Sequence, residues 1–72
     1  MIEHIAKNTK GVKEVFEVKT RLFGHTIYTE VVVGVDKSLS VEQGHDIALV
    51  VHDNIEGKVD NIKHATVHIE PV

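Results

Sequence analysis

The stretch TIYTEVVVGVDKSLSVEQGHDIALVVHDNIEGK, residues 26–58, changes its periodicity once, and that change decides the fold. In its first part Ile27, Thr29, Val31, Val33 and Val35 alternate with Tyr28, Glu30, Val32 and Gly34. Period two in β-branched residues marks a half-buried strand. Beyond Asp36 the period lengthens. Gly44, Ile47, Ala48, Val51 and Ile55 recur at helical spacing and form a stripe that can cover a sheet. Ser40 is placed to cap this helix, Gln43 completes a capping-box pattern, and Gly57 is placed to end it. An adjoining helix face carries His45, Leu49, His52 and Glu56.

Upstream, KEVFEVKTRLF (13–23) sets Phe16, Val18, Thr20 and Leu22 against Glu17, Lys19 and Arg21, a second alternating strand. Gly24 supplies the turn between the two strands, so they pair as an antiparallel hairpin. The opening segment MIEHIAKNTKGV (1–12) spaces Ile2, Ile5, Ala6 and Thr9 as a helix does, with Gly11 placed as the left-handed residue that stops it. After Asp60 and Asn61 a last strand runs from about Ile62 to Ile69. It points Ala65, Val67 and Ile69 one way and His64, Thr66, His68 and Glu70 the other.

The order is α-β-β-α-β. Two helices with apolar stripes and a sheet with one apolar face predict an α+β, two-layer arrangement, with both helices on one face of a three-stranded mixed sheet. The second helix is then a right-handed crossover between the last two strands.

Residues 1–72 make one domain. A chain this small hides only about 60% of its unfolded surface, so a partner chain or a bound metal would help it. It has no cysteine, which excludes disulfides, zinc fingers and thiol nucleophiles. A net charge of −3, no basic cluster and few aromatic residues argue against nucleic acid as a partner. No apolar run is long enough for direct membrane insertion by this chain. No nucleophile elbow and no glycine-rich phosphate loop are present, so the chain does not read as an enzyme.

Metal binding through imidazole and carboxylate stays open, and six histidines supply the means. His68 and Glu70 lie two apart on one strand face, about 7 Å along the backbone, and can aim at one ion if a neighbouring element adds a third ligand. His45 and His52 are two helical turns apart, about 10.5 Å, and cannot share an ion directly. His52 therefore reads as an exposed helix residue. His64 reads as a solvated histidine on the His68 face, and His4 and His25 as plain surface histidines.

The segment GVKEVFEVKTRLFGHTIYTEVVVGVDKSLSVEQGHDIA (11–48) resembles the cytoplasmic C-terminal domain of cation diffusion facilitator transporters. The resemblance rests on Gly11-Val12, Thr20-Arg21, Gly24, Val35-Asp36, Leu39-Ser40 and His45, and on the closing His68-Ile69-Glu70-Pro71. It covers residues 11 to 71 and the whole α-β-β-α-β order. It implies a ferredoxin-like (metallochaperone-like) fold and a homodimer. It also implies a place on the cytoplasmic face of a membrane, as the regulatory domain of a longer polypeptide whose transmembrane domain precedes this segment. A first helix that starts abruptly fits an excised domain.

In zinc-transporting members of that family, an early histidine of the second helix and the His-x-acid pair of the last strand bind metal, which implies His45, His68 and Glu70 here. Glu30 stands where members commonly carry an acid. Phe16 and Val32 stand at two positions where members often carry histidine, so a reduced site is expected, with one ion per chain or one shared between chains. The resemblance leaves Zn2+, Fe2+ and Mn2+ open as the divalent ion, and magnetosome-associated members show altered site residues of this kind. The implied mechanism is metal binding that tightens the dimer and activates transport. Two alternatives stand beside it: a metal-independent structural dimerisation module, and a stand-alone ferredoxin-like ligand-binding regulatory domain.

Overall fold

The computed structural model describes all residues, Met1–Val72. The elements are α1 (Ile2–Lys7), β1 (Glu14–Phe23), β2 (Thr26–Val35), α2 (Val41–Lys58) and β3 (Ile62–Pro71). The sheet order is β1-β2-β3. β1 pairs antiparallel with β2, and β3 pairs parallel with β2 across the α2 crossover. The α+β, mixed three-stranded arrangement is the one the periodicities predict.

β2 is central and explains the layering. Thr29, Val31, Val33 and Val35 are buried, while Tyr28 and Glu30 on the opposite face are exposed. Val31, Val33 and Val35 join Ala6, Val51, Ile55 and Ala65 in one core, with Val15, Val18, Ile47, Val67 and Ile69 packed around it. Only 11 of 72 residues are buried, so the core is thin for its chain length.

α2 begins as its sequence indicates. The Gln43 backbone N–H donates to Ser40 Oγ at 3.1 Å, and the Ser40 N–H donates to Gln43 Oε1 at 2.9 Å. Gly24 has φ of 63° at the first position of the two-residue β1–β2 turn, where a type II′ turn favours glycine.

Four local expectations are corrected. α1 ends at Lys7 with Asn8 as its C-cap, so Gly11 lies outside the helix. Gly11 still has φ of 95°, and a Cβ there would lie 2.7 Å from Ile47 Cδ1. It lets the loop press against α2. Gly57 does not end α2, which runs on to Lys58. The left-handed residue is Asn61, with φ of 67°, and its carbonyl accepts the Ile27 N–H at 2.9 Å. β3 extends past Ile69 to Pro71.

The fourth correction bears on the site. The β1–β2 register shifts between Val15 and Glu17, a β-bulge. The extra residue turns Phe16 away from the core face, and Val15 packs on the core instead. The Phe16 ring covers Gly34, where a Cβ would lie 2.9 Å from its Cε2.

Candidate metal centre

The sheet face without helices carries Glu30, His64, His68 and Glu70 in rungs set by the register. Glu30 pairs with Lys19 on one side and Thr66 on the other. Val32 lies between Glu17 and His68, and Gly34 lies beside Glu70. Glu30, His68 and Glu70 therefore share one open face, as the alternation predicts, and all three are exposed. His68 and Glu70 are two residues apart, and Glu30 is on the diagonal from His68, where Cα atoms are about 7–8 Å apart.

His45 occupies a different layer. It is exposed in the first turns of α2, next to Gly44, which is buried against Ile69. The structure places Glu30, His68 and Glu70 together on the open face and leaves His45 with the helices. These four do not form a group of three converging ligand atoms within one chain. Phe16 and Val32, the two non-ligating positions, lie on this same open face, so its donors are set among apolar side chains.

One group of three does converge, and it lies elsewhere. His52 and Glu56 on α2 meet His64 on β3, with ligand atoms all within 4.8 Å of one another. His52 Nε2 is 2.8 Å from Glu56 Oε2, and His64 Nδ1 is 4.0 Å from the same oxygen. The two imidazole rings are 6.1 Å apart. Glu56 Oε2 also accepts the Ala65 backbone N–H at 3.0 Å. His52 Nδ1 faces Asp53 Oδ1 at 3.1 Å.

Three features build this cluster. The i,i+4 spacing stacks His52 above Glu56 on α2. β3 is an edge strand, so the Ala65 N–H is free to meet a side chain rather than β2. The buried Val51, Ile55 and Ala65 hold α2 and β3 together beneath it. His52 is thus half-buried and engaged rather than a plain exposed helix residue, and His64 has partners on α2 as well as its place in β3. The sequence signal was the His52-x-x-x-Glu56 step; what it lacked was the strand residue opposite.

The one clear electrostatic shift lies outside both places. The Ser38 backbone N–H and hydroxyl donate to Asp36 Oδ1, each at 2.8 Å, and Lys13 Nζ stands 3.7 Å from Asp36 Oδ2. The Ser38 hydrogen bonds, with the lysine charge adding to them, hold the Asp36 carboxyl below its ordinary range.

No helix is long and apolar enough to cross a membrane. The family model for the cytoplasmic domain of cation efflux proteins matches residues 1–72. The transporter YdbO of Bacillus subtilis (strain 168) is 40% identical over 62 residues, covering 86% of this chain and 21% of that protein. The magnetosome protein MamM of Paramagnetospirillum magneticum (strain ATCC 700264 / AMB-1) is 34% identical over 65 residues, covering 90% of this chain and 20% of that protein. The chain thus spans about a fifth of the length of the curated relatives it matches. A solved single-substitution variant of the MamM C-terminal domain superposes with a TM-score of 0.96 at 31% identity, covering 99% of this chain and 89% of that one. A cadmium form of another variant of that domain superposes with a TM-score of 0.95 at 31% identity, covering 99% and 88%. By sequence and fold together, the chain belongs to the family of cation efflux protein cytoplasmic domains, those of the cation diffusion facilitator transporters.

Proposed function

We propose that this domain is the regulatory and dimerisation unit on the cytoplasmic side of a divalent-metal transporter, and that a divalent cation draws two copies of it together. The observation that carries the reading is the open sheet face. Glu30, His68 and Glu70 share it in register, yet they are too spread to close a site within one chain. Their donors, two carboxylates and an imidazole, suit a first-row divalent ion such as Zn2+, Fe2+ or Mn2+. A second copy facing the first supplies the missing ligands. The relatives support a metal role: MneP of Bacillus subtilis (strain 168) is named a manganese efflux system protein, and a MamM C-terminal domain exists in a cadmium form.

The chemistry is differential binding. An ion held by both chains binds the closed pair and not the open one, so it shifts the pair toward closure by its affinity difference. Within a longer polypeptide whose membrane domain carries the cation, closure would favour the active conformation. The test is small-angle scattering of the dimer during titration with Zn2+, Mn2+ and Co2+. Saturable compaction is expected, and it should be lost in the His68→Ala, Glu70→Ala double variant. An unchanged dimer shape at saturating metal would overturn the reading.

A metal-independent structural dimer is the second reading. Phe16 and Tyr28 are 47% and 39% exposed on the open face, and Val32 lies between them. Such an apolar set among the donors suits a standing interface. A compact dimer that forms identically in chelator favours this reading.

A further inference from the structure

We propose that His52, Glu56 and His64 form a divalent-metal site within each chain, at the edge of β3 rather than among Glu30, His68 and Glu70, that staples the C-terminal half of α2 to β3. It would take a first-row divalent cation such as Zn2+, Co2+ or Ni2+, for which two imidazole nitrogens and a carboxylate oxygen are suitable donors.

The geometry is near that of ligation. Donors bound at about 2.1 Å on adjacent positions of one ion lie about 3 to 3.5 Å apart. His52 Nε2 and Glu56 Oε2 are 2.8 Å apart, and His64 Nδ1 is 4.0 Å from the same oxygen. The His64 side chain is 60% exposed, so its ring is free to close the remaining distance. Glu56 needs no new anchor, because the Ala65 N–H already holds its Oε2 in place.

The His52 contacts suit one tautomer for ligation. Both of its ring nitrogens face carboxylate oxygens, Nδ1 toward Asp53 at 3.1 Å and Nε2 toward Glu56 at 2.8 Å. A neutral imidazole has one N–H and satisfies only one of these contacts. With Nδ1–H donating to Asp53, Nε2 is free for a metal, and this carboxylate–imidazole–metal chain recurs where a ligand histidine is fixed by an outer carboxylate.

The site meets the open face only through His64, which stands opposite Tyr28 there, while His52 and Glu56 lie on α2. His64 and His68 are four residues apart along β3, about 13 Å. All three ligands belong to one chain, so the ion needs no second copy. The proposal stands apart from the reading of the open face, and the experiment separates the two.

The test uses the whole 72-residue chain. In the His68→Ala, Glu70→Ala background, Co2+ is titrated and followed by its visible d–d absorption, with Zn2+ followed by calorimetry. One saturable site per chain is expected to persist. Adding His64→Ala or Glu56→Gln should weaken it about tenfold or more. Zn2+ should also raise the melting temperature of the double variant but not of the triple variant. No saturable Co2+ binding in the double variant, or an unchanged affinity after His64→Ala or after Glu56→Gln, would overturn the site. Should a variant fail to fold, the wild-type chain decides by NMR. Paramagnetic broadening by Co2+ centred on His52, His64 and the Ala65 amide supports the site, and broadening confined to His68 overturns it.

Discussion

The backbone N–H of Ala65 donates to Glu56 Oε2 at 3.0 Å, so a helix carboxylate covers an outward amide of the edge strand β3. Ala65 is itself buried, which makes that amide poorly placed to find water. Glu56→Ala removes the acceptor and is expected to cost about 1 kcal/mol in chelator. Glu56→Gln keeps a neutral acceptor and should cost clearly less. Urea unfolding of the two variants checks this; equal losses would mean that charge, and not the hydrogen bond, matters.

Gly11→Ala should destabilise the domain. The position has φ of 95°, a region that L side chains avoid, and the new Cβ would lie 2.7 Å from Ile47 Cδ1. The backbone term alone is about 1–3 kcal/mol. Gly24→Ala, also at positive φ but with open space around it, should cost less. Thermal melts of both variants side by side give the comparison.

Asp36 gives a pH dependence with a definite sign. Its carboxyl is held below the ordinary range by the Ser38 hydrogen bonds first and by Lys13 in addition. A carboxyl whose folded value is lowered adds stability above its unfolded value of about 3.9 and loses it as pH falls through the lower folded value. Asp36→Ala should therefore be less stable than wild type near neutral pH, and the gap should close in acid. Melting temperatures of the two proteins across that range test it, and a gap that widens in acid would contradict it.

The thin core makes its few large members decisive. Ile55 is fully buried between α2 and the sheet. Ile55→Val should cost about 1 kcal/mol and Ile55→Ala about 2–5 kcal/mol. The alanine variant should lose its cooperative unfolding transition, which circular dichroism would record as a broad, low-temperature melt.

Much of this was legible in the chain. Alternation in residues 26–35 set the inner and outer faces of β2, and the Ser40–Gln43 pair marked the start of α2 to the residue. The positions of Glu30, His68 and Glu70 on one face followed from parity alone. Phe16 was the failure. Its alternation with Val18 pointed it inward, but the bulge between Val15 and Glu17 shifts the parity by one. A bulge puts one extra residue into one strand, and with Val15 and Phe16 adjacent and both apolar the sequence allows either parity on that side of it. Gly57 misled for a related reason. A glycine near a helix end invites a stop, but the left-handed turn fell at Asn61, which joins the end of α2 to β3.

The sequence by itself determined the element order, the apolar stripes, the capped start of α2 and the faces on which the donors lie, because each of these depends on neighbours within a few residues. Only the tertiary structure decided which donors meet. His52 and Glu56 are neighbours on a helix, but His64 joins them because Val51, Ile55 and Ala65 bury together and seat α2 over the edge of β3. That meeting depends on the docking of a crossover helix against a strand, which no local spacing records.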